Sequence, residues 1–482
     1  MSNAVPHPPR PARGTQDFVF GAVLFLVALA PRLYVASAWS GEPVWDGHYY
    51  HFGAERIAAG FGYSEDVMVN GAAVSHPWCH YPVGYSAFLA PFYKLFSGLL
   101  GIPAVLIGPL LNALLGATTA VLVFRIGTRF LSLNRARVAG AITALHPGLI
   151  LYTGLTMTEL LASFLIILIL YVGTKFGGWR GAVLAGVLVG LGTLVRPPIL
   201  LCAVLLAVVV GGALRERALK TGVVVALAVL TVLPWSFRNC RVMDGCAFVS
   251  TNGGWNLAIG ALTETGRFRA LSGEDGCPVV TGQVQQDRCW AKLGRETIAD
   301  DPLAWLKKMP AKLQHTYNHE SFPVAYMAEA RPKIWPESRQ QAGRQLLTGF
   351  HRGLLVLVAL AAIRWPHPIR AEMRHWIPAT LWLLGVVIFA AQSGGSFDSP
   401  MFWLVVLAPL FSLLRLPGLY PAGGIEQYLW LCLLTTSMTH AVFFGDDRYH
   451  LVVSPCLCLL AAATLRRPRA SAPAQPSRPA LE

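Results

Sequence analysis

The sequence predicts an all-α integral membrane protein, as its composition, its apolar runs and the placement of its basic residues all indicate. Of the 482 residues, 54% are hydrophobic and 13% are charged, whereas about 25% of the residues in soluble domains are charged. Apolar runs recur from Phe18 to Leu465, and a helix needs about 20 mostly apolar residues to cross a hydrocarbon core. The composition therefore excludes an ordinary soluble enzyme.

The apolar runs predict about twelve transmembrane helices, although several runs are shorter than a full span. The predicted spans are 18–36, 104–131, 138–152, 155–174, 181–195, 199–214, 219–237, 347–363, 376–391, 401–416, 428–444 and 451–465. If the spans alternate in direction, the Arg and Lys clusters between them fall on one side, which the positive-inside rule assigns to the cytoplasm. We therefore interpret the formal net charge of +14 as a sign of topology and predict no nucleic acid partner.

This topology divides the chain into five segments. A cytoplasmic tail at 1–17 precedes an N-terminal transmembrane module at 18–237, which includes a first outer loop at 37–103. An outer loop at 238–346 with interfacial helices, C-terminal transmembrane helices at 347–467 and a cytoplasmic tail at 468–482 follow. Both tails are rich in Pro, Ala and Arg and are predicted to be disordered. An alternative for the N-terminus is a signal peptide cleaved near Ala36-Ser37-Ala38.

Two further segments predict helices that lie at the membrane surface. The run 82–100 is apolar, but counting it as a span would place the Arg cluster at 125–137 on the outside, so we favour an interfacial or re-entrant helix. The segment 301–319 has the pattern of an amphipathic helix, with Lys307, Lys308 and Lys312 on its polar side.

The nine cysteines show no C-x-x-C pair and no spacing that suits zinc. Five of them face the outside in the predicted topology, where disulfides are permitted. The local candidates for disulfides are Cys277 with Cys289 and Cys240 with Cys246. We predict no metal ligands, while a divalent metal stays open as a cofactor.

The first outer loop concentrates ionisable and aromatic residues close to the outer face of the membrane. Its spacing of apolar residues between positions 49 and 58 predicts a helix at the interface that turns polar groups toward one cavity. The ionisable residues of this stretch are Glu42, Asp46, His48, His51, Glu55, Arg56, His76 and His80.

The same loop resembles a known family. The pattern W-D-G-x-Y-Y-x-x-x-A-E-R-I-A-A-G-x-G-Y at 45–63, followed by His76 and Y-P-V-G-Y at 81–85, is similar to the first outer loop of polytopic GT-C glycosyltransferases. The nearest resemblance is to bacterial members of the dolichyl-phosphate-mannose protein mannosyltransferase superfamily, which includes the aminoarabinose transferases that act on lipid A. Three further stretches resemble family elements in the family's order: T-M-T-E at 156–159, L-V-R-P-P at 194–198, and F-F-G-D-D-R-Y-H at 443–450 with Pro455.

The resemblance implies a GT-C-like bundle and a catalytic role for Asp46, which matches the acidic residue that the family places after its first helix. A carboxylate at the membrane face can act as the general base that deprotonates an acceptor hydroxyl as it attacks the anomeric carbon. An inverting displacement of a lipid phosphate needs one such base, unlike hydrolases with paired carboxylates. The alternative is a helix cap or turn, since Asp46-Gly47 suits both.

The remaining candidates are expected to bind the substrates. Arg448 and Arg196 suit a phosphate because the guanidinium offers a planar fork of donors, although an interfacial anchor or a snorkelling side chain is the alternative for each. Glu159 either faces the cavity or caps its helix. The other predicted phosphate-binding or substrate-binding residues are His76, His80, His48, Tyr49, Tyr449, Asn252 and Asn256.

Together these observations predict a membrane glycosyltransferase. Its partners would be a polyprenyl-phosphate sugar donor, membrane lipids, and an extracytoplasmic acceptor that is a glycolipid, a cell-envelope glycan or a protein. We expect a multi-pass protein of the bacterial inner membrane whose active site faces the periplasm. The alternative is a transporter or flippase of a lipid-linked glycan, but such a protein should place its ionisable residues near mid-membrane.

Overall fold

The computed structural model describes residues 13–363, 373–393, 400–413 and 424–464. The predicted tail at 468–482 and most of the tail at 1–17 lie outside these residues. The described chain is mostly helical, and the predicted all-α integral membrane class is confirmed. Among the described residues, five helices are long and apolar enough to cross a membrane: Gly14–Trp39, Ala104–Gly127, Glu159–Phe176, Gly178–Val195 and Leu214–Val242. The count of about twelve spans stays a prediction.

The N-terminal module consists of ten α-helices in chain order. They are α1 (Arg13–Tyr34), α2 (Asp46–Ala58), α3 (Gly84–Phe92), α4 (Ala104–Gly127), α5 (Leu133–Ala144), α6 (Pro147–Leu151), α7 (Glu159–Phe176), α8 (Gly178–Val195), α9 (Cys202–Leu205) and α10 (Leu214–Val242). Helix α4 packs against α1, α5 and α7, and α8 packs between α7 and α10. This packing holds the first outer loop over one end of the bundle.

Two of the predicted spans are interrupted, in both cases next to proline. The run 138–152 is divided between α5 and α6, because α5 ends before His146, which precedes Pro147 and adopts an extended conformation. The run 199–214 begins in a 3₁₀ turn at Pro197–Leu201, continues in the four-residue α9 and returns to a 3₁₀ turn at Leu206–Val208.

The first outer loop contains the helix that its sequence predicts, together with a β-hairpin that it did not. Helix α2 begins at Asp46. Strands β1 (Ser64–Val69) and β2 (Ala72–Pro77) pair antiparallel around Asn70-Gly71, both of which have positive φ. An Asn-Gly pair between two short strands is a strong hairpin signal, which our prediction of helices alone overlooked. The apolar run 82–100 is helical, as α3 followed by a π-helix at Tyr93–Leu99.

The segment 238–346, which is predicted to be an outer loop, carries the end of α10, four complete helices and the start of another. After α10 come α11 (Gly253–Leu262), α12 (Gln283–Asp300), α13 (Pro302–Tyr317), α14 (Phe322–Ala330) and the start of α15 (Glu337–Ala361). Both predicted disulfides, Cys240–Cys246 and Cys277–Cys289, are present.

Helix α13 confirms the helix predicted at 301–319, but the expectation for Lys312 is wrong. The side chain is fully buried, and its Nζ donates to the Val442 carbonyl at 3.0 Å. The polar side of α13 therefore rests partly on protein instead of on solvent.

The C-terminal part completes the core. It contains α16 (Met373–Gln392), α17 (Phe402–Leu413), α18 (Gly424–Val442) and α19 (Ser454–Ala461), with a 3₁₀ turn at Tyr449–Val453 before α19. Every residue from 449 to 463 is buried, and α19 packs against α15 and α5. The last apolar run is thus surrounded by protein, and it places residues 446–450 against the first outer loop.

The cysteine pairing gives a direct prediction. Denaturing alkylation of the oxidised protein should add five groups per chain, because Cys79, Cys202, Cys432, Cys456 and Cys458 are free, and nine groups after reduction. Intact-mass spectrometry measures both numbers. In the native protein all five free thiols are buried and should react slowly. Seven or nine groups added without reduction would contradict the pairing.

Candidate active site

Asp46 is the first residue of α2, and tight packing fixes its position. The preceding residue, Trp45, has a φ of 50°, a conformation that costs energy for a residue with a side chain. Its ring packs edge-on against Phe322 and Tyr326, with centroids 5.6 and 5.7 Å away. A methyl group on Gly47 would overlap with the Tyr326 hydroxyl. A side chain at residue 47 would therefore have to displace Tyr326 from the start of α2.

The Asp46 carboxylate is held from two sides. Arg448 Nη1 lies 2.6 Å from Asp46 Oδ2, and the Tyr81 hydroxyl donates to Asp46 Oδ1 at 2.8 Å. The Asp46 side chain is 25% exposed and that of Arg448 is 15% exposed. A charge-assisted contact of this length in a partly desolvated place is strong. It joins the start of the first outer loop to the segment before α19.

Electrostatics keep Asp46 ionised. Burial by itself would raise the pKa of Asp46, but the Arg448 guanidinium and the hydrogen bonds from Tyr81 and Arg448 outweigh it, so the pKa lies below its ordinary value. Burial raises the pKa of Tyr81 and the Asp46 charge adds to the rise, so Tyr81 stays a donor. Burial lowers the pKa of His80, although Asp46 opposes this. The site therefore presents an anion, a cation and neutral donors at neutral pH.

A second ion pair lies beside the first. Arg196, at the end of α8, bonds through Nη1 to Glu159 Oε1 at 3.1 Å. Glu159 is the first residue of α7, and its side chain is 2% exposed. The guanidinium groups of Arg196 and Arg448 lie 5.5 and 5.1 Å from the Tyr449 ring centroid. Tyr449 therefore keeps the two cations next to each other, through contacts that are themselves favourable.

Both ion pairs line a cavity of about 530 Å³. Its polar side also includes His80, Tyr81 and the 252–256 turn at the start of α11, with Trp255. Its apolar side comes from α7, the 197–202 turn and the turn at Tyr449–Val453, and includes Ile166, Leu200 and Val452. The cavity can therefore accept a molecule with an anionic group, a polar group and a long apolar part.

The structure brings eight of the predicted site residues together around this cavity. They are Asp46, Arg448, Arg196, His80, Glu159, Tyr449, Asn252 and Asn256. The other three lie near it but do not line it. His48 stacks on Phe52, exposed Tyr49 stacks on Tyr81 at 5.3 Å, and His76 on β2 faces Glu65 at 3.5 Å.

Sequence reasoning missed several polar groups of the site. Thr435, Thr436, Thr439 and His440 line the cavity from within a predicted span. Their spacing places them on one face of α18, and polar residues in an apolar run are a known signal of a functional face. The ring of His440 stacks on Tyr449 at 4.0 Å. Asp446, whose Oδ1 lies 3.8 Å from Arg448 Nε, gave no signal beyond its place in the D-D-R-Y-H run.

Comparison with known proteins agrees with the motifs. Residues 80–235, about a third of the chain, match the family model of dolichyl-phosphate-mannose-protein mannosyltransferase. The predicted resemblance to this superfamily is confirmed. No curated protein matches the sequence.

The chain is also similar to solved structures of low sequence identity. The oligosaccharyltransferase of Archaeoglobus fulgidus tethered to an acceptor peptide is 12% identical with a TM-score of 0.48, over 94% of this chain and 49% of that one. The same enzyme with an inhibitory peptide and a dolichol-phosphate is 13% identical with a TM-score of 0.46, over 94% and 50%. ArnT from Cupriavidus metallidurans in the apo state is 14% identical with a TM-score of 0.34, over 92% and 78%. This chain spans about half the length of the archaeal structures.

The close packing at Gly47 predicts the effect of a single methyl group. Gly47→Ala should destabilise the protein by about 1–3 kcal/mol through overpacking against Tyr326, and it should lower the melting temperature in detergent or nanodiscs. Gly222→Ala in α10 is the control, because a Cβ there meets nothing within 4 Å. Equal melting temperatures for both variants would contradict the proposed packing of α2.

Proposed function

We propose that this protein is a membrane glycosyltransferase that moves a sugar from a polyprenyl-phosphate carrier to a hydroxyl of an extracytoplasmic acceptor, by inverting displacement. The observation that carries the proposal is the Asp46–Arg448 ion pair, which shares the wall of a cavity with Arg196. This cavity has one polar and one apolar side. The match of residues 80–235 to a lipid-phosphate-dependent mannosyltransferase family supports it.

Asp46 is the proposed general base. It would take the proton of the acceptor hydroxyl while the oxygen attacks the anomeric carbon, and the bond from that carbon to the phosphate oxygen breaks. Glu159 also lines the cavity, but its side chain is almost fully buried and is bonded to Arg196. One accessible carboxylate therefore suits a single displacement better than a double one.

Arg448 and Arg196 are proposed to hold the phosphate of the donor. Fixed positive charge at the leaving oxygen stabilises the charge that develops there. A phosphate that engages Arg448 would share the guanidinium with Asp46, which weakens the contact that lowers the Asp46 pKa. Donor binding would thereby make Asp46 a better base at the moment when a base is needed.

The two sides of the cavity fit the two ends of such a donor. The sugar would lie against the 252–256 turn, where Asn252 and Asn256 offer hydrogen bonds and Trp255 offers a flat surface. The polyprenyl chain would follow the apolar side along α7 and the 197–202 turn. We also propose that the site faces the periplasm at the bacterial inner membrane, because the predicted topology puts the basic clusters on the opposite side.

Replacing Asp46 should separate chemistry from binding. Asp46→Asn should reduce sugar transfer by about 10²- to 10⁴-fold, the range for loss of a general base, while donor binding is retained. The assay uses purified protein in lipid, radiolabelled polyprenyl-phosphate sugars and a membrane extract as acceptor. Glu42→Gln is the matched control, because it makes the same change on an exposed residue of the same loop.

Two outcomes would count against the proposal. If Asp46→Asn transfers sugar within a few-fold of the wild type, Asp46 is a helix cap and not the base. If neither protein transfers sugar but both move the labelled lipid across vesicles equally well, the protein is a transporter of lipid-linked glycans.

Donor binding should depend on pH through Asp446. Burial raises the pKa of Asp446 to about 6, although Arg448 beside it opposes the rise, and Asp447 adds to it. Below this pH the carboxyl is neutral and no longer competes for Arg448. A bound phosphate should raise the pKa of Asp446 further. As the pH falls past both pKa values, donor affinity should therefore increase by about tenfold for each pKa unit by which the donor raises it.

Asp446→Asn checks this assignment, because it should bind the donor with nearly constant affinity across the same pH range. The donor affinity is measured at each pH by equilibrium binding of a labelled polyprenyl-phosphate sugar. This ligand is suitable because a phosphodiester does not itself titrate near pH 6. An unchanged pH profile in Asp446→Asn would assign the titration to another group of the cavity, such as His80.

A further inference from the structure

A compact cluster of metal-ligating side chains lies outside the cavity and has no part in the proposed reaction. Glu320 lies in the turn between α13 and α14, His351 in α15 and His450 in the turn before α19. Their side chains are buried, with residue exposures of 1%, 0% and 0%. One donor atom from each lies within 4.8 Å of the other two. The two imidazole rings stack with centroids 3.9 Å apart.

Backbone contacts settle which ring nitrogens carry protons. His450 Nδ1 donates to the Thr316 carbonyl at 2.7 Å, and His351 Nε2 donates to the Tyr317 carbonyl at 2.8 Å. Since carbonyls only accept, His450 Nε2 and His351 Nδ1 are the lone-pair nitrogens of the neutral rings. Metal-ligating histidines are oriented by this kind of outer hydrogen bond. Consecutive residues at the end of α13 therefore set both rings.

The inward-facing atoms are poorly satisfied by the protein alone. Glu320 Oε1 and His351 Nδ1 are buried and have no hydrogen-bond partner within the described part of the chain. Glu320 Oε2 and His450 Nε2 are 3.5 Å apart, which is long for a hydrogen bond to a charged group. A buried carboxylate that faces lone pairs is repelled unless a cation lies between them.

Another histidine near the cluster has a different role. His146 is fully buried, and its Nδ1 accepts a hydrogen bond from the Leu149 amide at 3.3 Å. Its neutral form therefore carries the proton on Nε2, which makes it a donor and not a ligand. Arg32 donates to the carbonyls of Ala28, Thr143 and Ala144, so its guanidinium is already engaged by backbone groups. Helix α6 also supplies Gly148, where a Cβ would overlap with the Glu320 carboxylate.

We propose that Glu320, His351 and His450 form a binding site for a divalent transition metal, with Zn²⁺ as the preferred ion. Two imidazoles and one carboxylate are a recurrent zinc ligand set, whereas Mg²⁺ and Ca²⁺ prefer oxygen ligands throughout. Donor atoms around tetrahedral zinc stand about 3.3 Å apart. Binding therefore requires the three side chains to close inward from their present separation. A water molecule completes the coordination.

The metal would act on structure and not on the reaction. Asp447 Oδ2 accepts hydrogen bonds from the amides of Ser321 and Phe322, the second at 2.9 Å. The Arg448 guanidinium lies 5.1 Å from the Phe322 ring. An ion shared by Glu320, His351 and His450 would thus tie the turn before α14 and the 446–450 segment to α15. The inference does not depend on the proposed function, because metal binding is measured without substrate.

The test is the metal content of the full chain. Protein purified through a tag without histidines, stripped with a chelator and dialysed against Zn²⁺ should retain about one ion per chain by elemental mass spectrometry. Glu320→Gln and His351→Ala should each retain less than about a fifth of that amount, since loss of one of three protein ligands weakens a site severely. Glu320→Gln preserves shape, which keeps the test valid if His351→Ala fails to fold.

The test of the metal site also includes a matched control variant and two further measurements. His76 and Glu65 form an exposed His–carboxylate pair 3.5 Å apart, so His76→Ala should bind as much Zn²⁺ as the wild type. Co²⁺ in place of Zn²⁺ should give the intense visible absorption of a four- or five-coordinate ion in the wild type and in His76→Ala alone. A chelator should lower the melting temperature of these two proteins and leave Glu320→Gln unchanged.

Three results would overturn the proposal. They are a wild type that retains no metal, equal retention by wild type and Glu320→Gln, or retention that depends on His76. The first would mean that a proton, on His450 Nε2 or on Glu320, joins these two side chains in place of a metal ion. The other two would show adventitious binding elsewhere on the protein.

Discussion

The ion pair between Asp46 and Arg448 is the contact on which the rest of the site depends. It joins residues 402 positions apart in the sequence, so the first outer loop and the last apolar segment must meet before the site exists. Neither charge is fully solvated, and a buried charge that loses its partner is costly. The start of α2 is fixed by the packing of Trp45 against Phe322 and Tyr326 and by the lack of a side chain at Gly47. This packing holds Asp46 within reach of Arg448.

The residues around this ion pair stabilise two cations, Arg448 and Arg196, that lie side by side in a poorly hydrated place. Arg448 and Arg196 each have a carboxylate partner, and both lie against the face of Tyr449. Tyr449 is in turn stacked on His440. The end of α8, helix α18 and the segment before α19 therefore meet at one aromatic ring, which explains why the polar residues of the apolar runs collect at one end of the bundle.

The sequence predicted the parts of this site that are encoded locally. Asp46 begins a helix whose amphipathic spacing is visible, and both disulfides link cysteines that are close in sequence. The hairpin at 64–77 also had a local signal in Asn70-Gly71, which was overlooked. Lys312 was misjudged because its burial depends on the end of α18, about 130 residues away. The position of Tyr81 beside Asp46 likewise results from tertiary packing, which single-sequence periodicity does not report.

The balance of charge in the cavity links donor binding to protons. Asp46 and Glu159 compensate Arg448 and Arg196, so these four groups are neutral together before a donor enters. A phosphodiester adds one negative charge, and Asp446 beside Arg448 adds another when it is ionised. An uncompensated charge in a partly dry cavity is unfavourable, so the loaded site gains by taking up a proton. Asp446, with a pKa raised to about 6 by burial, is placed to accept one from solvent, while Asp46 would accept one from the acceptor hydroxyl. The negative charge that the donor brings into the cavity would thereby favour the proton transfer to Asp46 that the reaction requires.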